Sequence, residues 1–374
     1  MKTNGIPAAL TLVTLLALAT ALPAPADIES PALAKYKKPV DDSVDKALRY
    51  LAGIQVPPGQ SLAGSFKSRW PALAGNPGTS ALCVMAFLSK GHTPGNGPYG
   101  ETINRGVDFV LSTYNPANSL FMQRNQPRMT AMYIHCISTM LLTEISGMID
   151  PERQKRIDAV LPKALNVIIA AQRLPKEAKH AGGWAYEPAD ATYSDISLSG
   201  WALMALRGAR LNGAAIPKDS IDRAVQYILM CWDKADGGFR YQPGNYLGTG
   251  MARTGAGVLC LALCGQHEHP ATIAGGEYML RHMPRTVKTD LGIGFYYGEY
   301  YCSQAMFQLG GRYWEAWAPV MYDTLIREQQ ADGSWPEDTP RGSGLPTAAG
   351  TPYSTALAVL AMTVSCRQLP IYQR

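Results

Sequence analysis

Two kinds of apolar segment alternate along this chain. The first kind is apolar on one stripe only. Val44, Ala47, Leu48, Leu51 and Ile54 recur at helical spacing, and Ile221, Ala224, Val225, Ile228 and Leu229 do the same. The second kind is apolar all round, as in residues 81–89 and 353–365. A striped helix keeps one face in water, whereas a helix apolar on every side must be covered on every side. The pair recurs along the chain, and self-similarity of this kind decides the architecture before any single element does.

Six pairs can be read. The first has a helix from Asp41, a loop with Gly64, Trp70, Gly75 and Pro77, the N-cap pair Thr79-Ser80, and an inner helix over 81–89. The second runs from Thr102 to about Met148, with its inner helix at 128–145. The third has helices at 153–172 and 195–210, the fourth at 219–232 and 251–265. The fifth has them near 271–282 and at 300–309, the sixth at 311–330 and 353–365. Six outer and six inner helices predict a double ring, the inner set lining a central hollow. The alternative is an open solenoid, which needs polar end caps that the sequence does not clearly show.

The loops share a signature: Gly182-Gly183-Trp184-Ala185-Tyr186, Asp236-Gly237-Gly238-Phe239, Gly292 to Tyr297, and Asp332-Gly333-Ser334-Trp335. Glycine lets the backbone turn tightly, and the aromatic ring is expected to plug the junction between hairpins. Gln172 and Gln330 stand where they can bond the exposed ends of neighbouring helices.

Composition narrows the picture further. Length alone, 374 residues, would suggest two domains, but the repeats run through one. Charged residues are only 17% and the formal charge is +5 with no long basic run, so nucleic acid is not an expected partner. The apolar stretch 8–22, behind Lys2, reads as an export signal, with cleavage sites after Ala21 and Ala26. The division is therefore a signal at 1–26, a linker at 27–40 and one domain over 41–374, exported to the periplasm or beyond the cell. An uncleaved anchor is the alternative, although the stretch is short for a span of ~20 residues. Seven cysteines, several inside apolar runs, read mainly as small buried hydrophobes, with one or two disulfides as the alternative.

With these residues in view, the chain resembles a known superfamily. Gln329-Gln330-Ala331-Asp332-Gly333-Ser334-Trp335 is similar to the Q-x-x-D/G-G-S-W repeat of squalene and hopene cyclases. Gly182-Gly183-Trp184 and Gly237-Gly238-Phe239 resemble the corresponding repeats of cyclases and protein prenyltransferase β-subunits. The stretch 300–372 resembles exported bacterial proteins carrying prenyltransferase and squalene-oxidase repeats. The resemblance covers about 41–374 and implies an all-α, (α/α)6 toroid. It does not carry either standard chemistry. Where class II cyclases have D-x-D-D, this chain has Asp195-Ile196-Ser197-Leu198, and a serine hydroxyl cannot protonate an alkene. Where zinc prenyltransferases have D-x-C and a later His, Ser197 replaces Cys and no histidine follows His282. The thioester motif G-C-G-E-Q is absent as well. No metal or cofactor is expected.

The open end of such a ring should be lined near the starts of the inner helices. The candidates are Tyr186, Tyr193, Asp195, Ser197, Tyr241, Arg253, Tyr296, Tyr297, Tyr300, Tyr301, Trp335 and Tyr353. Nineteen tyrosines against seven phenylalanines suit a cavity both greasy and partly wet, or else simple packing between hairpins. Asp195 is the candidate acid, with helix capping as the plainer role. Arg128 and Arg253 could hold an anionic head group or pair with a nearby acid, and His135 reads as a core histidine. The expected function is binding of a hydrophobic, isoprenoid-like molecule or of a protein partner. The alternatives are an enzyme acting on a terpenoid, lipid or glycan around Asp195, and a structural or interaction module.

Overall fold

The computed structural model describes residues 31–70, 74–122, 130–244, 247–286, 294–338 and 350–372. The apolar stretch 8–22, linker residues 27–30, Arg128 and Gly292-Ile293 lie outside the described residues. A short helix, α1 (Pro31–Ala34), leads into six consecutive hairpins. These are α2 (Lys37–Ile54) with α3 (Pro77–Ser89), α4 (Gly100–Ser112) with α5 (Ala131–Ile145), and α6 (Pro151–Gln172) with α7 (Ile196–Leu211). There follow α8 (Lys218–Met230) with α9 (Met251–Leu263), α10 (Pro270–Arg281) with α11 (Phe295–Leu309), and α12 (Gly311–Glu328) with α13 (Thr351–Met362). A two-residue ribbon, Tyr114–Asn115 against Leu120–Phe121, links α4 towards α5.

The two apolar patterns map onto two layers. Every residue of α3 is buried, whereas α2 buries only the stripe Val40, Ser43, Val44, Ala47, Leu48 and Leu51. The odd-numbered helices from α3 onwards form the inner ring: α3 packs on α5, α5 on α7, α7 on α9, α9 on α11, α11 on α13, and α13 back on α3. In the outer layer α12 likewise returns to α2. The ring is closed and the fold is an (α/α)6 toroid. An open solenoid is excluded, because the first and last hairpins are neighbours.

The junctions between hairpins follow one rule. Gln172 Nε2 donates to Gly182 O at 2.9 Å and to Ser220 O at 2.8 Å, tying its own loop to the next outer helix, α8. Gln55 does the same with Gly64 O and Thr102 O at 3.1 and 2.9 Å. In the last hairpin the residue is Gln329, not Gln330: Gln329 Nε2 donates to Gly333 O and to Ser43 O at 2.9 and 2.8 Å. Gln330 instead accepts from Ser334 Oγ within its own loop. The aromatic plugs are fixed in the same repeated way. The backbone N–H groups of Trp184, Phe239 and Trp335 donate to Ser199, Thr254 and Thr355 hydroxyls on the following inner helix.

Several helix starts differ from expectation. The structure starts α2 at Lys37 rather than Asp41, and Pro39 fits because a first-turn residue needs no backbone donor. The cap of α3 is Asn76, whose side chain accepts from Thr79 N–H, with Pro77 next; Thr79 and Ser80 are already helical. The fifth inner helix begins at Phe295, so Tyr296 and Tyr297 belong to a helix rather than a loop. Five of the seven cysteines are buried and the other two partly so.

Candidate functional site

The inner helices all begin at one end of the ring, and the third inner helix carries the acid. Its approach is fixed by the loop before it. Asp195 N–H donates to Trp184 O at 3.1 Å, forming a single antiparallel bridge. Residues 185–194 therefore bulge outward and present Tyr186 and Tyr193. These two rings meet edge to face at 5.3 Å, and the Tyr186 N–H donates to the Tyr193 hydroxyl at 3.0 Å. Neighbouring hairpins lock the bulge: Met132 N–H donates to Tyr186 O, and Ile196 N–H donates to Tyr241 O. Tyr133 in the first turn of α5 lies 5.7 Å from the Tyr186 ring, and the Tyr186 and Tyr241 hydroxyls hydrogen-bond to each other. Tyr133, Tyr186, Tyr193 and Tyr241 are all partly exposed. They make a collar around α7's first turn.

Asp195 sits beneath the collar and is completely buried. Its Oδ1 accepts from Leu198 N–H at 2.9 Å, an N-cap as expected for a carboxylate at a helix start. Its Oδ2 has no partner at hydrogen-bond distance. Burial pushes the carboxyl up to about 7; the N–H groups of Leu198 and Ser197 and the facing Tyr241 and Tyr133 hydroxyls pull the other way. The two hydroxyls temper the shift, but neither meets hydrogen-bond geometry with Oδ2. At neutral pH a substantial share of Asp195 is a neutral acid with a donor to offer. The phenols around it are in turn held protonated by burial and by Asp195, Tyr186 to about 12.

Below this level the ring is filled by aromatic side chains. Trp201 Nε1 donates to the Tyr297 hydroxyl at 3.2 Å, and Trp201 stacks on Tyr300 at 5.4 Å and 4°. Tyr301 packs on all three, and its hydroxyl reaches Ser197 O at 3.5 Å. Ser197 itself is buried, with its hydroxyl unpartnered. The Tyr300 hydroxyl bonds that of Tyr372 from the C-terminal turn (Pro370–Tyr372), which enters the ring from the opposite end. In this lower half aromatic rings occupy the axis where a hollow was expected.

The remaining candidates are placed as follows. Tyr353 lies partly exposed in the first turn of α13, where the negative charge of Asp338 and neighbouring tyrosines help raise its hydroxyl after burial. Asp338 caps α11, accepting from Phe295 N–H and Tyr296 N–H, both at 3.0 Å. Tyr296 is buried against Phe295. Arg253 folds back on its own helix start, donating to Thr249 O at 3.3 Å. Trp335 is fully buried, with its indole donating to Leu325 O at 2.9 Å, so it clamps hairpins and is not brought to the collar. His135 is a core residue: Nε2 faces Ala164 O at 3.0 Å and Nδ1 accepts from Phe121 N–H at 3.3 Å. Among the described residues no cluster of His, Cys, Asp or Glu could hold a metal.

Sequence reasoning missed Tyr133, Asp338 and Trp201. A signal for Tyr133 existed. The third residue of an inner helix is Tyr133 in α5, Tyr297 in α11 and Tyr353 in α13. Setting the start of α5 at Ala131 rather than at Arg128 puts Tyr133 in that register.

Neither a protein-family model nor a curated protein sequence matches the chain. Solved structures do. An inactive variant of the α-1,6-mannanase GH76A of Salegentibacter, in complex with α-1,6-mannotriose, is 9% identical with a TM-score of 0.60, over 87% of this chain and 99% of that one. The type II terpene cyclase MstE from Scytonema, in complex with geranylgeranyl dihydroxybenzoate, is 13% identical with a TM-score of 0.58, over 91% and 99%. A protein of Listeria innocua is 10% identical with a TM-score of 0.58, over 88% and 97%. The fold is thus shared, over nearly the whole of each chain, by proteins of quite different chemistry. Among the described residues no helix is long and apolar enough to cross a membrane.

Proposed function

We propose that the tyrosine collar binds a hydrophobic, isoprenoid-like small molecule bearing a polar end, and that the neutral carboxyl of Asp195 donates to that end. One observation carries the reading. Asp195 spends one oxygen on its helix cap and keeps the other unpartnered, wholly buried beneath partly exposed tyrosines. A buried polar atom without a partner is costly, and a ligand oxygen would relieve it. The collar suits an apolar body with a polar tip, since each phenol offers a face and a hydroxyl. The terpene cyclase of the same fold, held with a geranylgeranyl compound, supports this class of ligand.

The chemistry available is limited by acidity. A carboxyl near 7 donates well to an oxygen or nitrogen. It is far too weak an acid for an alkene, and Ser197 brings no second carboxyl to sharpen it. This favours binding over standard cyclase chemistry. A second reading has Asp195 as general acid towards a heteroatom of a terpenoid, lipid or glycan, and the mannanase of like fold supports the glycan. Glycosidases need two carboxyl groups flanking the bond. Asp338 is a second buried acid at an inner-helix start, but both of its oxygens cap α11.

The test is direct. Lipid extracts of the purified full chain, analysed by mass spectrometry, should contain an isoprenoid-like molecule, and geranylgeraniol should bind saturably. Asp195→Asn keeps the cap and puts a weaker amide N–H donor where the carboxyl O–H stood, so affinity should fall a few-fold, whereas Asp195→Ala removes the donor and should cost about tenfold. Clean extracts together with no saturable binding would remove the proposal. Loss of turnover in Asp195→Asn, on any substrate found, would favour the catalytic reading. The apolar stretch 8–22 further supports export; N-terminal sequencing of the mature protein should begin at Leu22 or Asp27, and an intact Met1 terminus would refute it.

A further inference from the structure

The far end of the ring, where outer helices start and inner helices stop, holds a concave site. It is a groove of about 410 Å³, walled by Leu33, Tyr36, Val40, Trp314, Tyr322 and Met362. That volume lies within the ~300–1,000 Å³ of small-molecule sites. The aromatic walls brace one another: Tyr36 and Tyr322 rings lie 5.3 Å apart, and Trp314 and Tyr322 rings 6.1 Å apart. None of these residues touches the collar, and the function proposed above makes no use of them.

Two polar features give the groove a direction. Trp314 is 5% exposed, and its indole N–H is buried with no acceptor. An indole nitrogen can only donate, so what the site lacks is an oxygen. Lys37 lines the same groove, is exposed, and forms no ion pair among the described residues. Asp41 also lines it, but its carboxylate is taken by Lys90. Lys35 and Asp323 both lie against Tyr36 and offset each other, so the charge left over is positive, and it stands beside an unsatisfied donor over an apolar trough. A cationic or purely apolar guest would leave both features unanswered.

We infer that this groove is a second ligand site that takes an amphiphile with an apolar chain and a carboxylate head, the head meeting the Trp314 indole N–H and the Lys37 ammonium. The chain lies along Tyr36, Val40, Tyr322 and Met362. Its affinity is salt-dependent through Lys37, which faces water, and less so through the buried indole.

Calorimetric titration of the full chain with dodecanoate tests this, with dodecanol and dodecyltrimethylammonium as matched chains of other head groups. Dodecanoate should bind at one saturable site and at least tenfold more tightly than the other two. Trp314→Phe keeps the ring and removes the donor, and should weaken dodecanoate about tenfold. Lys37→Gln should weaken it several-fold and flatten its salt dependence. Ala34→Trp, at an exposed wall position that folding tolerates, should block the groove. Tyr186→Ala and Asp195→Asn at the collar should leave dodecanoate binding unchanged, so the two sites fail or succeed separately. Equal affinity for the three head groups, no saturable binding, or full binding by Ala34→Trp would overturn the proposal. So would a ligand-free dimer that Ala34→Trp dissociates, because the occupant would then be a second copy of the chain.

Discussion

Among the described residues Glu144, Glu299 and Asp195 are carboxyl groups with at most 1% exposure, and their protonation shapes how stability responds to pH. Glu144 and Glu299 are each raised by burial to about 8, and Asp195 to about 7. Glu144 accepts from Ile371 N–H at 3.2 Å and Glu299 has Ser303 at 3.5 Å, too little to hold a charge. In the unfolded chain the same groups lose their protons near 4. Below that pH both states are protonated and the full stabilisation is present. As pH rises from about 4 to 8 the unfolded chain ionises first, so stability is lost through each folded pKa. His135 acts on the acid side. Burial lowers it to about 4, so the unfolded chain takes up its proton between about 6.5 and 4 while the folded chain resists. His92 and His180, also lowered by burial, act on the same acid side, so the loss towards alkaline pH belongs to the three carboxyls. Glu299→Gln should therefore flatten the decline of the urea midpoint between pH 5 and pH 8; an unaltered slope would mean that Glu299 is already ionised in the fold. Glu144 and Glu299 were illegible in the sequence because a lone acid in an apolar helix reveals its burial only when the opposing layers are known. His135 was legible, because it stands between apolar neighbours on an all-apolar segment.

The hairpin junction is the repeated element, and its glycine is the most exacting part. Gly182 has φ +88°, and a Cβ there would stand 2.3 Å from the Arg223 carbonyl oxygen of the next outer helix. Gly333 meets Lys46 O in the same manner, at 2.5 Å, across the seam between the last hairpin and the first. Left-handed strain alone costs roughly 1–3 kcal/mol, and the clash adds to it. Gly182→Ala should thus lower unfolding stability by at least about 2 kcal/mol in urea titration; a loss under ~0.5 kcal/mol would show that the loop has another course. This signature was readable because only glycine satisfies it, and because it recurs beside an aromatic. The helix starts were less readable for a physical reason. Runs such as Phe295-Tyr296-Tyr297 have weak helix preference, yet they become helical because Asp338, distant in sequence, supplies the cap. Gln330 was favoured over Gln329 for a related reason. Adjacent identical residues differ only in facing, which depends on Gln329 leaving the helix in an extended conformation.

At the scale of the whole molecule, closure distinguishes this ring from a stack of the same hairpins. In an open array the end repeats lack one neighbour and fray first. Here α13 packs on α3, α12 on α2, and Gln329 spans the seam as Gln172 spans an internal junction. The closed double ring could be read from the alternating stripes and all-apolar segments, from the six hairpins and from the want of clear polar end caps, but the contacts that fasten its seam could not, because they join residues 286 positions apart. Nor could the aromatic filling of the lower axis, since Tyr372 arrives there from the end of the chain to meet Tyr300. The two glutamines convert closure into a measurement. Each replacement by alanine strands one loop carbonyl, Gly182 O or Gly333 O, and removes a second donor from Ser220 O or Ser43 O, which keeps its helical partner; a stranded buried acceptor costs about 1–3 kcal/mol. Gln172 is buried and Gln329 half-buried, so the seam should cost somewhat less. In a closed ring Gln329→Ala should still cost at least half as much as Gln172→Ala, and both variants should unfold in one transition by circular dichroism and tryptophan fluorescence. If the seam variant instead loses α2 and α3 in a separate early step, seen as selective loss of amide protection there, the first and last hairpins are coupled too weakly for the ring to act as one cooperative body.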